Sequence, residues 1–105
     1  MKLIDMHCDT FFLMEREEQS LSENSLCVDL KKMRQAGSIA QFFACFVNMK
    51  RFENNGGVDG AYQHVLQMID RGKREFRDNA NLISLVAGFD ELKKNYETEK
   101  MSAFL

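Results

Sequence analysis

From Ile39 to Val47 the chain reads Ile-Ala-Gln-Phe-Phe-Ala-Cys-Phe-Val, apolar or aromatic everywhere except Gln41, and the run begins just after Gly37. A run of this length behind a glycine stop suits a strand covered on both faces, as the strands of parallel sheets are. Parallel neighbours are joined by long crossovers, usually helical. Both flanks of the run supply a helical pattern. Asp29 stands at an N-cap position, Leu30 to Ala36 follows with Leu30, Met33 and Ala36 on one face, and Gly37 sits where a helix C-terminus takes positive φ. On the far side, Arg51 to Gly57 reads as a loop marked by Asn54-Asn55-Gly56-Gly57. A long helix is then expected over Gly60–Arg77, with Ala61, Val65, Met68, Ile69 and Phe76 at helical spacing.

The remaining segments continue the pattern. Residues 2–7 read as a short strand, Thr10 to Glu18 as one or two helical turns, and residues 19–25 as a polar surface loop. Asp78 to Asn81 breaks the long helix, and Leu82 to Val86 is a short apolar stretch. Asp90 caps a second charged helix, Glu91 to Thr98, and Met101 to Leu105 begins another strand. Alternation of strand and helix signals a parallel α/β architecture. It expects Leu3, Ile4, Ile39, Phe43 and Phe46 to be buried, Phe42 to join that core, and the first two strands to pair in parallel. An apolar strand is an unusual place for a domain to stop. The pattern therefore expects residues 1–105 to be the N-terminal portion of one domain.

Composition excludes several roles. The 105 residues carry a formal net charge of -2, so no basic footprint for nucleic acid is present. No run of about 18 apolar residues exists, so no transmembrane helix is expected. The opening Met1-Lys2-Leu3-Ile4-Asp5 is no signal peptide, because Asp5 interrupts a very short apolar run. A cytoplasmic chain is the expectation, with Cys8, Cys27 and Cys45 as free thiols. His64 falls in the long helix beside Val65 and reads as a partly exposed side chain.

The chemistry is concentrated in Asp5-Met6-His7-Cys8-Asp9. Alternate side chains of a strand share a face, so His7 and Asp9 point the same way, joined by Asp5 if the strand extends that far. Imidazole nitrogen and carboxylate oxygen are both good zinc ligands. At the C-terminal end of a barrel's first strand they would sit on its catalytic face. Two ligands do not complete a zinc site. The alternative is that His7 and Asp9 merely form a strand-end hydrogen bond and cap the next helix. Asp5 reads either as an outer-shell partner orienting a ligand or as an acceptor for nearby backbone. Cys8 alternates to the opposite face and reads as a small buried residue.

Ile4-Asp5-Met6-His7-Cys8-Asp9 resembles the opening strand of membrane (renal) dipeptidase-type metallopeptidases, in which Asp, His and Asp alternate. Val28-Asp29-Leu30-Lys31-Lys32-Met33-Arg34-Gln35-Ala36-Gly37 resembles that family's next signature, and Gly37 to Phe42 its Gly-x-x-x-Gln-aromatic strand. Lys100 to Leu105 resembles the lead-in to its third barrel strand. The resemblance implies the first part of a (β/α)8 barrel, two zinc ions with His7 and Asp9 on one of them, and hydrolysis of dipeptides by a zinc-activated water. It places a bridging glutamate after the third strand and histidines on later ones, so this chain alone would be inactive. Many members carry asparagine at the position of Cys8. Barrel edges left unpaired would make the chain self-associate. A non-enzymatic α/β interaction domain, or an amidohydrolase-type barrel acting on another amide, are the competing readings.

Overall fold

The computed structural model describes residues 1–16 and 18–105. Four strands, β1 (Leu3–Cys8), β2 (Ser38–Phe43), β3 (Ile83–Leu85) and β4 (Met101–Phe104), form one sheet in the order β1-β2-β4-β3. Every neighbouring pair is parallel. The helices are α1 (Thr10–Met14), α2 (Leu30–Gln35), α3 (Gly57–Asp78) and α4 (Phe89–Glu97), with a 3-10 turn at Met49–Phe52. The mixed α/β class and the β1–β2 pairing match the alternation in the sequence. Three residues of the apolar stretch Leu82–Val86 become β3, which lies beyond β4 at the sheet edge. The order is therefore not the consecutive one of a barrel's first strands.

Local chemistry explains α2. The Asp29 carboxylate accepts the Lys32 backbone N–H at 2.7 Å, the N-cap bond that the sequence predicts. Gly37 ends the helix at φ 73°, and a Cβ there would collide with the Met1 carbonyl oxygen. Positive φ and close approach of backbone together call for glycine at this position. The cap assigned to Asp90 is corrected. Gly88 is the N-cap residue of α4, and the Glu91 carboxylate reaches back to accept the Ala87 N–H at 2.6 Å. Asp90 lies in the first turn, where its charge suits the helix dipole.

The core lies between the sheet and α1, α2 and α3. Phe11, Phe43 and Phe76 form a ring cluster with centroids 4.9, 5.7 and 5.4 Å apart, with Met68, Ile83 and Met101 around it. Ala61, Met68, Gly72 and Phe76 give α3 its buried stripe. Helix α4 takes the opposite face. Its one buried residue, Asn95, donates to Ser84 and Ser102 Oγ at 2.8 and 3.0 Å, and these serines alternate with core Ile83 and Met101. A connection running back from β3 to β4 reverses the direction of winding. Under the right-handed crossover preference this moves its helix to the other face.

Burial corrects part of the expected core. Phe43 is buried and Ile39 and Phe42 are half-buried, but Leu3, Ile4 and Phe46 are 38%, 46% and 49% exposed. Leu3 and Ile4 lie on an edge strand. Phe46 lies past the end of β2, which stops at Phe43 rather than running to Val47. After it the Ala44 N–H bonds to the Cys8 carbonyl at 2.9 Å, and Phe46 packs on Phe12, edge to face at 5.2 Å.

Candidate metal centre

The end of β1 is shaped by an irregular register. Asp5 pairs with Gln41 and Cys8 with Phe43, so Met6 and His7 together oppose Phe42. This is the arithmetic of a β-bulge, which re-aims side chains at a strand end. Asp5 and Cys8 stay on the helix-covered side. Asp5 lines a small cleft with Cys27, Val28, Lys32 and Gln41, and Cys8 joins the core. Met6 and His7 turn outward, 67% and 65% exposed.

Asp9 follows as the N-cap residue of α1, yet its side chain makes no cap hydrogen bond. Its Oδ1 lies 3.3 Å from His7 Nε2. The strand-end contact forms, but the carboxylate is not used on the helix. A charge-assisted N–H···O bond is shorter, about 2.7–2.9 Å. Two donors on one tetrahedral zinc, each about 2.0–2.1 Å from the ion, stand roughly 3.3–3.4 Å apart. One imidazole nitrogen and one carboxylate oxygen at this spacing, both open to solvent, fit two positions of a zinc site. Among the described residues no group of three or more His, Cys, Asp or Glu is placed to hold a metal.

The bulge also decides what Asp5 does. Its Oδ1 accepts the backbone N–H of His7 at 3.2 Å, so it holds the main chain of His7 rather than the ring. Burial pushes the Cys8 thiol pKa up against the smaller opposing effect of its Thr10 hydrogen bonds, which keeps it a neutral core residue. Burial likewise raises Cys45. Cys27 is exposed, and none of the three cysteines is in a disulfide.

Tertiary contacts that no local pattern reveals fasten the segment behind the site. His64 Nε2 lies 2.9 Å from Glu15 Oε2 and its ring packs on Phe52. Arg71 donates to the carbonyls of Met14 and Gln19 at 3.2 and 2.9 Å, and Glu75 accepts the Leu21 N–H at 2.9 Å. Leu21, inside the stretch that reads as a polar surface loop, is fully buried. The loop reading holds for its neighbours but not for this anchor.

No helix among the described residues is long and apolar enough to cross a membrane. No curated protein matches the chain. The sequence model of one family, membrane dipeptidase (peptidase family M19), matches residues 1–105, the whole chain. With its parallel α/β sheet and a histidine–aspartate pair at the C-terminal end of the first strand, the chain belongs to the membrane dipeptidase family of peptidases.

Proposed function

We propose that this chain supplies the first two ligands, His7 and Asp9, of the metal site of a zinc-dependent dipeptidase. The observation that carries the reading is the Asp9 carboxylate, turned from its helix toward His7 Nε2 at 3.3 Å. Zinc bound there supplies Lewis-acid polarisation of a peptide carbonyl and a more acidic water. His7 gives a neutral imidazole nitrogen and Asp9 a charge-neutralising oxygen, while Asp5 holds the His7 main chain in place. The family's full site has two ions, and its remaining ligands and acid/base group are not among these residues.

The same reading places the sheet in a (β/α)8 barrel with β1, β2 and β4 as consecutive strands. It is supported by their parallel pairing and by the exposure of Met6 and His7 at the C-terminal end of β1. Helix α4 meets the sheet through its last turn, where Tyr96 receives Lys2 Nζ at 5.6 Å from the ring centroid. There it would close the bottom of the barrel, leaving the catalytic end free. The three unpaired cysteines suit a cytoplasmic setting.

A peptidase that contains this chain is expected to hydrolyse dipeptides and to stop when a chelator removes zinc. Full zinc occupancy with no turnover on a broad dipeptide panel would overturn the assignment. Alone, the chain is expected to bind zinc weakly and to turn over no dipeptide, since two ligands of about four leave the ion mostly to water.

The isolated chain is also expected to self-associate. Both β1 and β3 are sheet edges with unpaired backbone groups, and β1 exposes Leu3, Ile4 and Met6. Light scattering at micromolar concentration checks this, and a stable monomer would count against it.

A further inference from the structure

We propose that Gly72 and Arg71 of α3 are positioning residues for the metal pair, acting on Asp9 through α1; the inference rests on the zinc reading above. Asp9 has little freedom of its own. Cys8 before it and Thr10 and Phe11 after it are all buried, and the Asp9 carbonyl accepts the first helical N–H of α1, from Leu13, at 3.1 Å. Wherever α1 goes, Asp9 goes. A five-residue helix is too short to hold itself together, so packing must set its position.

Helix α3 supplies that packing at two points. Phe11 is fully buried, stacked on Phe43 and tilted against Phe76, and its ring edge rests on Gly72. A Cβ at Gly72 would meet Phe11 Cε2 at 2.7 Å and Cζ at 3.0 Å. The ring has neighbours on its other sides and cannot swing clear. Restoring an ordinary carbon contact of about 3.5–4.0 Å would push Phe11, and α1 with it, by roughly 1 Å. At the other end of α1 the Arg71 guanidinium donates to the Met14 carbonyl and on to Gln19, a cation on the helix C-terminus. Ligands of a metal site need placement to about 0.5 Å, so a shift of this size matters.

The test is a zinc titration of the chain, followed by the NMR signals of His7 and Asp9. Circular dichroism and a urea transition are recorded for every variant, and affinity is measured far below that transition. Gly72→Ala is expected to weaken zinc binding about tenfold, the lower end of what outer-shell changes cost. Gly72→Ala with Phe11→Leu, which removes the obstructing ring edge, is expected to recover most of it. Affinities are compared only between variants that the circular dichroism and urea data show to be fully folded, so recovery at equal folded fraction separates positioning from mere structural support.

Should Gly72→Ala fail to fold, Arg71→Gln decides. It removes only the two carbonyl contacts and is expected to weaken binding several-fold. Folded variants that bind zinc like the unsubstituted chain would overturn the inference while leaving the site intact. No zinc-dependent change at His7 or Asp9 in the unsubstituted chain would overturn the site itself, and this inference with it.

Discussion

Replacing His7 or Asp9 by alanine is expected to remove zinc from this end of β1. It should also cost the peptidase that contains the chain at least about a hundredfold in kcat/KM, the upper end of what losing an outer-shell partner costs. Both side chains are open to solvent, so neither change leaves a cavity or an unpaired buried group, and the fold should survive. Asp9→Ala removes no helix cap, because the carboxylate makes none. Its effect should therefore appear in metal content and turnover, with the urea midpoint nearly unmoved. Cys8→Ala is the matched control. It alters the residue between the two ligands, but on the buried side, and should leave zinc affinity unchanged. Unchanged turnover in both the His7 and Asp9 variants would place the metal elsewhere. A large loss of stability on Asp9→Ala would restore the capping reading.

A large loss of stability is expected at Asp29. It is 1% exposed and organises the whole loop before α2. One oxygen caps the helix at the Lys32 N–H. The other accepts the Asn24 N–H at 3.0 Å and the Lys32 ammonium at 2.7 Å. Lys32 Nζ in turn ties down the carbonyls of Asn24 and Leu26 at 2.8 and 2.6 Å. Asp29→Ala removes the cap and one half of the ion pair together and should cost about 3 kcal/mol, near the low end for a broken buried pair because Lys32 still reaches water. A loss under about 1 kcal/mol in urea unfolding would show that the loop does not depend on this carboxylate.

The same residue gives a pH dependence with a definite sign. Burial pushes the Asp29 carboxyl up, but the Lys32 ammonium and the N–H groups of Lys32 and Asn24 outweigh it and hold its pKa below the usual aspartate value. A depressed folded pKa stabilises the fold above the unfolded value, about 4, and that stability is lost as pH falls through the folded pKa. Asp29→Asn, which cannot titrate, should show a flatter decline in acid than the unsubstituted chain.

What the sequence by itself determined is what depends on near neighbours. The helix Leu30–Gln35 between Asp29 and Gly37 is legible because a cap bond spans three residues and a positive-φ terminus needs only a glycine at the right place. The pairing of β1 with β2 is legible because two apolar runs separated by a helical segment form the usual parallel crossover unit. The pair His7 and Asp9 is legible because the two lie two residues apart.

What only the tertiary structure decided is what depends on partners far along the chain. The bulge that parts Asp5 from His7 is a property of β1 measured against β2, and no alternation within β1 predicts it. Phe43 and Phe46 are the same residue type in the same run, yet one is buried and the other exposed because β2 ends between them. Leu21, His64, Arg71 and Glu75 acquire their roles from partners 49 to 57 residues away. The position of β3 beyond β4, with α4 on the far face, depends on strand pairing across the sheet and on crossover handedness, which no single segment encodes. Periodicity states which residues share a face. Whether that face is covered, and by what, is settled only when the whole chain packs.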